Sequence, residues 1–550
     1  MSTASHRRVG SPPQPTGLAR GVRVALGVKG SQQTRGYWSE AGAQSRACVR
    51  GLAGLAFADA LPSVLLWLLV SWVAPDLGAS SGWLRTWLLA GGVAVAAAAL
   101  MSLRLARSGR RLTTAVWVAT NAGLVVVVVA QLEVLTAAAA LLVLRAALLG
   151  VGAVTQRPLV VDVSPPEVRV RALARWRGAG VLGGATAAGL AAAVVGGPEW
   201  GWRSALSAAG AVAAVLGLVA AFVDDPGVGG VERRRLVGLV GEEAAPVAVL
   251  DRPLRSLDRV AGQPTVALAL VGYLAVGVAG LAPVTAIVGL VRTSGTSAVE
   301  TCAGLAIAWS AAAVVTVLAA RGLEARGRRG PRHLAAAVPV LLVVSVVGLV
   351  AISWMHQAAA ALVGTAVVAT GAALAIVVLD ATALSAVDPA DRPAVAALST
   401  LAVVSGVVLG LVWLAVLGEW AESRFTLASL GVLVVVLAIP TVWLSTAAEG
   451  ALGERVDRIV RDARLHPAAP NLPRWARPVV LAPDWPPALP AVLQPPPPGF
   501  VRTHGVAGTA GGRELVARLI QMPQVDLLPV ADSARIDPLT SPLDQLPGRS

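Results

Sequence analysis

EWGWRSALSAAG, residues 199–210, returns later in the chain as EWAESRFTLASLG, residues 419–431, and the distance between the copies sets the architecture. Arg203 to Arg424 is 221 residues, and Gly210 to Gly431 is also 221. Two further pairs keep nearly the same offset. The basic turn ARSGRR at 106–111 is echoed by ARGRR at 325–329, with Gly109 and Gly327 separated by 218. VSPPEVRVRAL at 163–173 is echoed by VDPADRPAVAAL at 387–398, with Arg169 and Arg392 separated by 223. One short match is chance in a sequence rich in Ala, Val, Gly and Arg. Three in the same order are an internal duplication.

Between these markers the chain is apolar. Of 550 residues, 56% are hydrophobic and 14% charged, with a mean hydropathy of +0.71. Soluble chains carry about 25% charged residues, so lipid has to cover what water cannot. A bilayer core takes about 20 apolar residues per helix. Runs of that length lie near 51–73, 82–103, 112–132, 134–155, 177–197 and 203–223. A second set lies near 264–290, 301–320, 334–354, 357–380, 393–417 and 425–446. No ten-residue alternating strands are present, which excludes a barrel. The expected fold is an all-α membrane protein of twelve transmembrane helices in two six-helix pseudo-repeats.

The gaps between spans give an orientation. Arg104, Arg107, Arg110 and Arg111 fill the second gap, and Arg157, Arg169, Arg171 and Arg175 the fourth. Arg233, Arg234, Arg235, Arg252, Arg255 and Arg259 fill the centre, and Arg321, Arg326, Arg328, Arg329 and Arg332 the eighth gap. The intervening gaps are short and acidic or uncharged, with Asp76, Glu133, Glu199, Glu419 and Glu422. Arginine concentrates on the cytoplasmic side of membrane proteins, so both termini are expected there, with the chain multi-pass in the plasma membrane. Both halves then enter from the same side and run parallel, related by an axis along the membrane normal. The expected organisation is an N-terminal tail (1–50), a first half (51–223), a central loop (224–261), a second half (262–446) and a Pro-rich tail (447–550). The first tail could carry a short amphipathic helix at 17–28, and the last another at 512–521.

Composition also removes function classes. A net charge of +14 would suit nucleic acid, but the arginines sit in tails and alternate gaps instead of along one soluble face. Cys48 and Cys302 fall at opposite membrane faces and cannot pair. The histidines are scattered, without metal-ligand spacing, so no metal or cofactor is expected. GVAGTAGGRE at 505–514 lacks the lysine of a phosphate loop. No nucleophile–base arrangement stands out, and the chain does not read as an enzyme.

At this point a resemblance can be stated. SLRLARSGRR at 102–111 resembles the first cytoplasmic turn of the major facilitator superfamily, approximately GxLxDRxGRR. Arg107, Gly109, Arg110 and Arg111 match, while Ser102 replaces the glycine and Ala106 the aspartate. GLEARGRR at 322–329 is a second copy, one residue short, with Arg326, Gly327 and Arg328 as its counterparts. RAALLGVG at 145–152 resembles the RxxxGxG pattern of the fourth span, and GWR at 201–203 the opening of the sixth. The resemblance covers roughly 51–446 and implies a transporter working by alternating access. It also implies that losing the aspartate at Ala106 weakens the anion-dependent lock of the cytoplasmic ends. The glycine-rich fifth span, GAGVLGGATAAGLAAAVVGG at 178–197, lacks the glycine-proline pair of drug antiporters, and close packing accounts for its small residues.

Ionisable groups inside spans are costly and count as functional candidates. Asp59 in the first span is a proton or cation candidate, against a residue wetted by a vestibule. Arg145 is mid-span, with a functional or gating role set against a structural ion pair. Asp380, at the inner end of the tenth span, reads first as an interfacial cap and second as a coupling site. Counted at 1.5 Å per residue, Asp59 lies about 12 Å and Arg145 about 15 Å from the same side, and a pair at that depth lowers the cost of both. Trp67, Trp309 and Trp413 are cavity candidates. Asn121 is the only asparagine in the spans, too few polar groups for a sugar site. An amphipathic or lipophilic solute, such as a cation or a lipid-like metabolite, fits better, with proton coupling an option. The rival reading is a transport-inactive scaffold or sensor acting through its tails. The expected partners are the lipid bilayer, a small-molecule substrate and, for the tail, a protein partner.

Overall fold

The computed structural model describes residues 38–107, 111–197, 201–223, 227–233, 236, 253–280, 297–354, 358–418 and 423–465. Helices α1 (Trp38–Leu68), α2 (Ser81–Met101), α3 (Arg111–Gln131), α4 (Leu135–Val163), α5 (Arg169–Gly196) and α6 (Trp202–Val219) form the first half. Helices α7 (Pro264–Gly280), α8 (Ala298–Arg329), α9 (Ala337–Trp354), α10 (Ala358–Ala386), α11 (Arg392–Gly418) and α12 (Ser423–Ala438) form the second. A further long helix, α13 (Leu444–Leu465), follows a 3₁₀ turn. All twelve span helices belong to one compact unit covering residues 20–234 and 247–458. A second unit is represented among the described residues only by Leu236 and the last turns of α13, from Ile459 on.

Among the described residues, ten stretches are long and apolar enough to cross a bilayer. The two shorter apolar helices, Ala90–Met101 within α2 and Pro264–Gly280, complete the twelve. Their outward faces are apolar too: Ile307, Val347, Val363 and Trp117 are more than half exposed. Water would not tolerate such a belt, whereas lipid does. The spans are α-helices, which close most backbone hydrogen bonds within the segment, as a dry environment demands. Where a helix must start near water, a side chain supplies the missing partner: Ser297 accepts from the Glu300 amide at 3.2 Å, and Glu300 reciprocates to the Ser297 amide at 2.8 Å.

The duplication is visible in the packing. In the first half α1 packs on α5, α2 on α4 and α3 on α6; in the second, α7 packs on α11, α8 on α10 and α9 on α12. One of the tightest crossings brings Gly277 of α7 onto Gly406 of α11, where a Cβ on either would run into the carbonyl of Val403 or Leu274. In the related position, a Cβ on Gly183 of α5 would stand 2.7 Å from the Phe57 carbonyl of α1. Only glycine admits backbones this close. The halves meet along α5 and α8, antiparallel from Gly178 beside Val317 to Gly196 beside Val299. They also meet along α2 and α11, where Gly92 faces Val404.

The helices differ from the expected spans chiefly at their basic ends. α4 continues to Val163, α10 to Ala386 and α8 to Arg329, while α5 and α11 begin at Arg169 and Arg392. At 32 residues α8 is about 48 Å long, well beyond a hydrocarbon core of about 30 Å. Hydropathy ends at the first polar residues, but the backbone ladder does not. Two expectations for the tails are corrected in the same way. Residues 38–50 are the first turns of α1, with Ser45 donating to the Val163 carbonyl at 2.8 Å. Residues 447–465 are helical rather than polyproline-like, because the prolines begin only at Pro467 and Ala448 and Val456 repeat on one buried face. The stretches at 17–28 and 512–521 lie outside the described residues.

Candidate functional site

The two arginines matched by the repeat, Arg169 and Arg392, converge on one oxygen. Glu232, in the segment that follows the first half, accepts from Arg169 at 2.8 Å and from Arg392 at 2.6 Å through the same Oε2. Its Oε1 accepts from Arg455 of α13. Arg392 also donates to Asp162 at the end of α4, and Asp162 accepts from Arg111 at the start of α3 at 2.5 Å. Arg169 in turn donates to Ser385 of α10 at 3.2 Å. Asp162 and Ser385 are themselves 223 residues apart, the offset of the two arginines. Each arginine therefore reaches across to the partner position in the other half, and Glu232 joins the two.

This cluster is dry: Arg111, Arg169, Arg392, Arg455, Asp162 and Glu232 are all at most 4% exposed. Burial alone would raise the Glu232 carboxyl, but the guanidinium groups of Arg455, Arg392 and Arg169 outweigh it and hold it well below the usual carboxylate range. Two outlying pairs flank the cluster, the first between the halves and the second between α13 and the α10–α11 turn. Glu324 of α8, buried, stands 2.8 Å from Arg171 of α5 and also pairs with Arg328. Asp388 pairs with Arg458 at 2.8 Å.

About one and a half turns deeper lies a second polar layer. Arg157 of α4 donates to Ser399 of α11 at 2.8 Å and stands 3.9 Å from Asp380 of α10. Asp380 accepts from the hydroxyl of Tyr273 of α7 at 2.6 Å. Arg157 and Asp380 are again 223 apart, so the duplicated position carries opposite charges that face each other. In the wall of the first half, Gln156 donates to the Asp59 carboxylate at 2.8 Å. Arg145 donates to the Ser63 hydroxyl at 2.8 Å and the Asp59 carbonyl at 3.3 Å.

The comparisons with known proteins follow from this geometry. The profile described as Major Facilitator Superfamily matches residues 52–411. The chain belongs to the major facilitator superfamily. Similar solved structures include the proton:xylose symporter XylE bound to 6-bromo-6-deoxy-D-glucose, with a TM-score of 0.58 and 13% identity over 72% of this chain and 95% of that one. The human organic anion transporter MFSD10 gives a TM-score of 0.53 and 16% identity over 72% and 99%. The transporter FucP in its outward conformation gives 0.51 and 13% over 72% and 99%. At these identities the likeness is one of fold. No curated protein matches the sequence. Membership makes this a multi-pass membrane protein with a transporter's fold.

Of the residues singled out from sequence, Asp59 and Arg145 do come together, though the arginine binds the backbone carbonyl and Ser63 instead of the carboxylate. Asp380 is not an interfacial cap: it is 2% exposed and bonded inside the bundle. Arg111 is central to the basic-end cluster, whereas Arg107 closes the short helix Leu103–Arg107 and Gly109 and Arg110 lie outside the described residues. Arg326 is exposed on α8, Gly327 is on the same turn, and Arg328 pairs with Glu324. At Ala106, where the resembled turn has an aspartate, the structure shows the backbone carbonyl in use. Arg111 donates to the Ala106 carbonyl and takes its anion from Asp162 at the end of α4. Trp413 donates to Ser429 of α12, and Trp309 packs near Gly184 between α5 and α8. Sequence reasoning missed Asp162, Arg157, Tyr273 and Glu232. The offset of 223, applied beyond the quoted repeat, would have flagged the first two.

Proposed function

We propose that this member of the superfamily is a secondary active transporter that moves a small amphipathic or lipophilic solute by alternating access. The observation that carries the reading is the buried basic-end cluster. It joins the halves through the Arg392–Asp162 pair and through Glu232, which takes Arg169 of α5 and Arg392 of α11, while Arg169 also donates to Ser385 of α10; such a junction is what a gate requires. Each contact is lost if the halves rock apart, and each charge can then be rehydrated. A scaffold has no need of charges buried between its halves. By the arginine asymmetry the cluster lies on the cytoplasmic side of the plasma membrane, with both termini there. Asp59 is the proton-coupling candidate, because it is half-buried and its neighbour Arg145 is positioned to respond to its charge. Asp380 is a second candidate, linked to Arg157 and Tyr273.

The test is a reversible lock. With Cys48 and Cys302 replaced by alanine, cysteines at Gly178 and Val317 join α5 to α8 near the basic end. Oxidation should arrest solute counterflow in proteoliposomes, and reduction should restore it. Undiminished counterflow in the oxidised protein would rule out rocking of the halves.

A further inference from the structure

We infer that Arg177 and Arg157, inside the basic-end cluster, bind a lipophilic monoanion, a carboxylate on an apolar body. This rests on the transporter reading and names its substrate class.

Inside the basic-end cluster, the charges of the described residues do not balance. Three arginines, Arg145, Arg157 and Arg177, lie along the inner walls of α4 and α5, against two carboxylates, Asp59 and Asp380. Asp59 is satisfied by Gln156 and neighbours Arg145. Asp380 is satisfied by Tyr273 and stands 3.9 Å from Arg157. Arg177 is left over. It lies one α5 layer inside the basic-end cluster and shares the electrostatic surroundings of Arg157, Asp380 and Tyr273. Yet no carboxylate among the described residues is within 4 Å of it, and its buried Nε has no hydrogen-bond partner. The Nε of Arg157, a side chain 7% exposed, is also without one. Two guanidinium groups thus hold unused donors, and Arg177 is only partly buried.

An uncompensated charge inside a bilayer is expensive, and a planar guanidinium is shaped to share two bonds with a carboxylate. The surplus is one positive charge, which one anionic group cancels. A cationic solute would instead meet like charge at Arg177 and Arg157. The surroundings exclude a strongly polar ligand. Beyond Arg177, Gly180 and Gly184 of α5 pack against Ala56 and Val64 of α1 and Trp309 of α8, an apolar wall. Little there could hydrogen-bond sugar hydroxyls.

Phenylbutyrate, phenylbutylamine and phenylbutyramide share one apolar body and differ in charge. Thermal unfolding of the purified full-length protein in nanodiscs should rise with phenylbutyrate alone. Arg177→Gln should bind it about tenfold to a hundredfold more weakly, as expected for a lost charge-assisted bond. Arg177→Lys, which keeps the charge and guards against a folding defect, should recover part of that loss. Equal stabilisation by the amine, no shift with the carboxylate, or carboxylate binding unchanged in Arg177→Gln each overturns the inference. Counterflow of the same compounds separates it from the transporter reading. Carboxylate binding without counterflow upholds the site and sinks transport; amine counterflow without carboxylate binding does the reverse.

Discussion

Glu232 receives donors from Arg169, Arg392 and Arg455, drawn from three different helices. Removing its charge leaves those arginines buried against one another, a change that costs about 3 kcal/mol for a broken buried pair. That corresponds to about two orders of magnitude in the ratio of closed to open gate. Glu232→Gln should therefore raise the maleimide reactivity of a cysteine placed at buried Thr382 in inside-out vesicles, and an unchanged rate would argue against the gate. The pH response has a definite sign. A carboxyl held below its ordinary value of about 4.3 contributes at every pH above that value and fails only as pH falls through its own depressed pKa. Closure by this cluster should thus be level from pH 8 to pH 5, measured by the same labelling. Any pH dependence of transport in that window has to come from elsewhere, and Asp59→Asn should abolish it without abolishing transport. Asp59 and Arg145 were legible because depth follows from counting residues along a helix. Glu232 was not, since nothing in an arginine-rich loop distinguishes a carboxylate that folds inward from one that faces water.

Among the elements, the apolar spans were readable from composition and their inner ends were not. Polar residues such as Asp162, Arg169 and Arg392 look like loop when judged by hydropathy, but pairing across the halves removes the cost of keeping them helical. The same logic governs α13. Its sequence, AAEGALGERVDRIV at 447–460, holds apolar residues at helical spacing among charges, and Arg455 leaves that face to join Glu232. Truncation after Leu465 should leave gate labelling and monodispersity unchanged. Truncation after Gly450 removes Arg455 and Arg458 and should raise labelling in the direction of Glu232→Gln. Equal behaviour of the two truncations would separate α13 from the gate. Helix crossings give a second check. Gly406→Leu drives a side chain into the Leu274 carbonyl and should cost about 1–3 kcal/mol, the usual range for overpacking, whereas Gly450→Leu meets nothing within 4 Å. Thermal unfolding in detergent should separate the two.

For the molecule as a whole, duplication is the organising fact, and it reaches further than the spans. Positions 223 apart meet at the basic end and again at Arg157 and Asp380, so the pseudo-axis runs through the polar layers. Two parallel halves force their equivalent ends onto one face, which is why the arginines of both repeats accumulate there. Charge then chooses the side: a face carrying Arg104, Arg171, Arg326 and Arg329 resists translocation, while the opposite turns carry Asp76 and Glu133. Ser80, in the turn after Asp76, and Arg326, near the end of α8, are both exposed and belong to opposite ends of the bundle. A cysteine at Ser80 should react with an impermeant maleimide added to intact cells. One at Arg326 should react only after the membrane is opened. Since the halves are parallel, a reversed pattern could not be local; it would turn every basic end outward and place the buried gate on the external face.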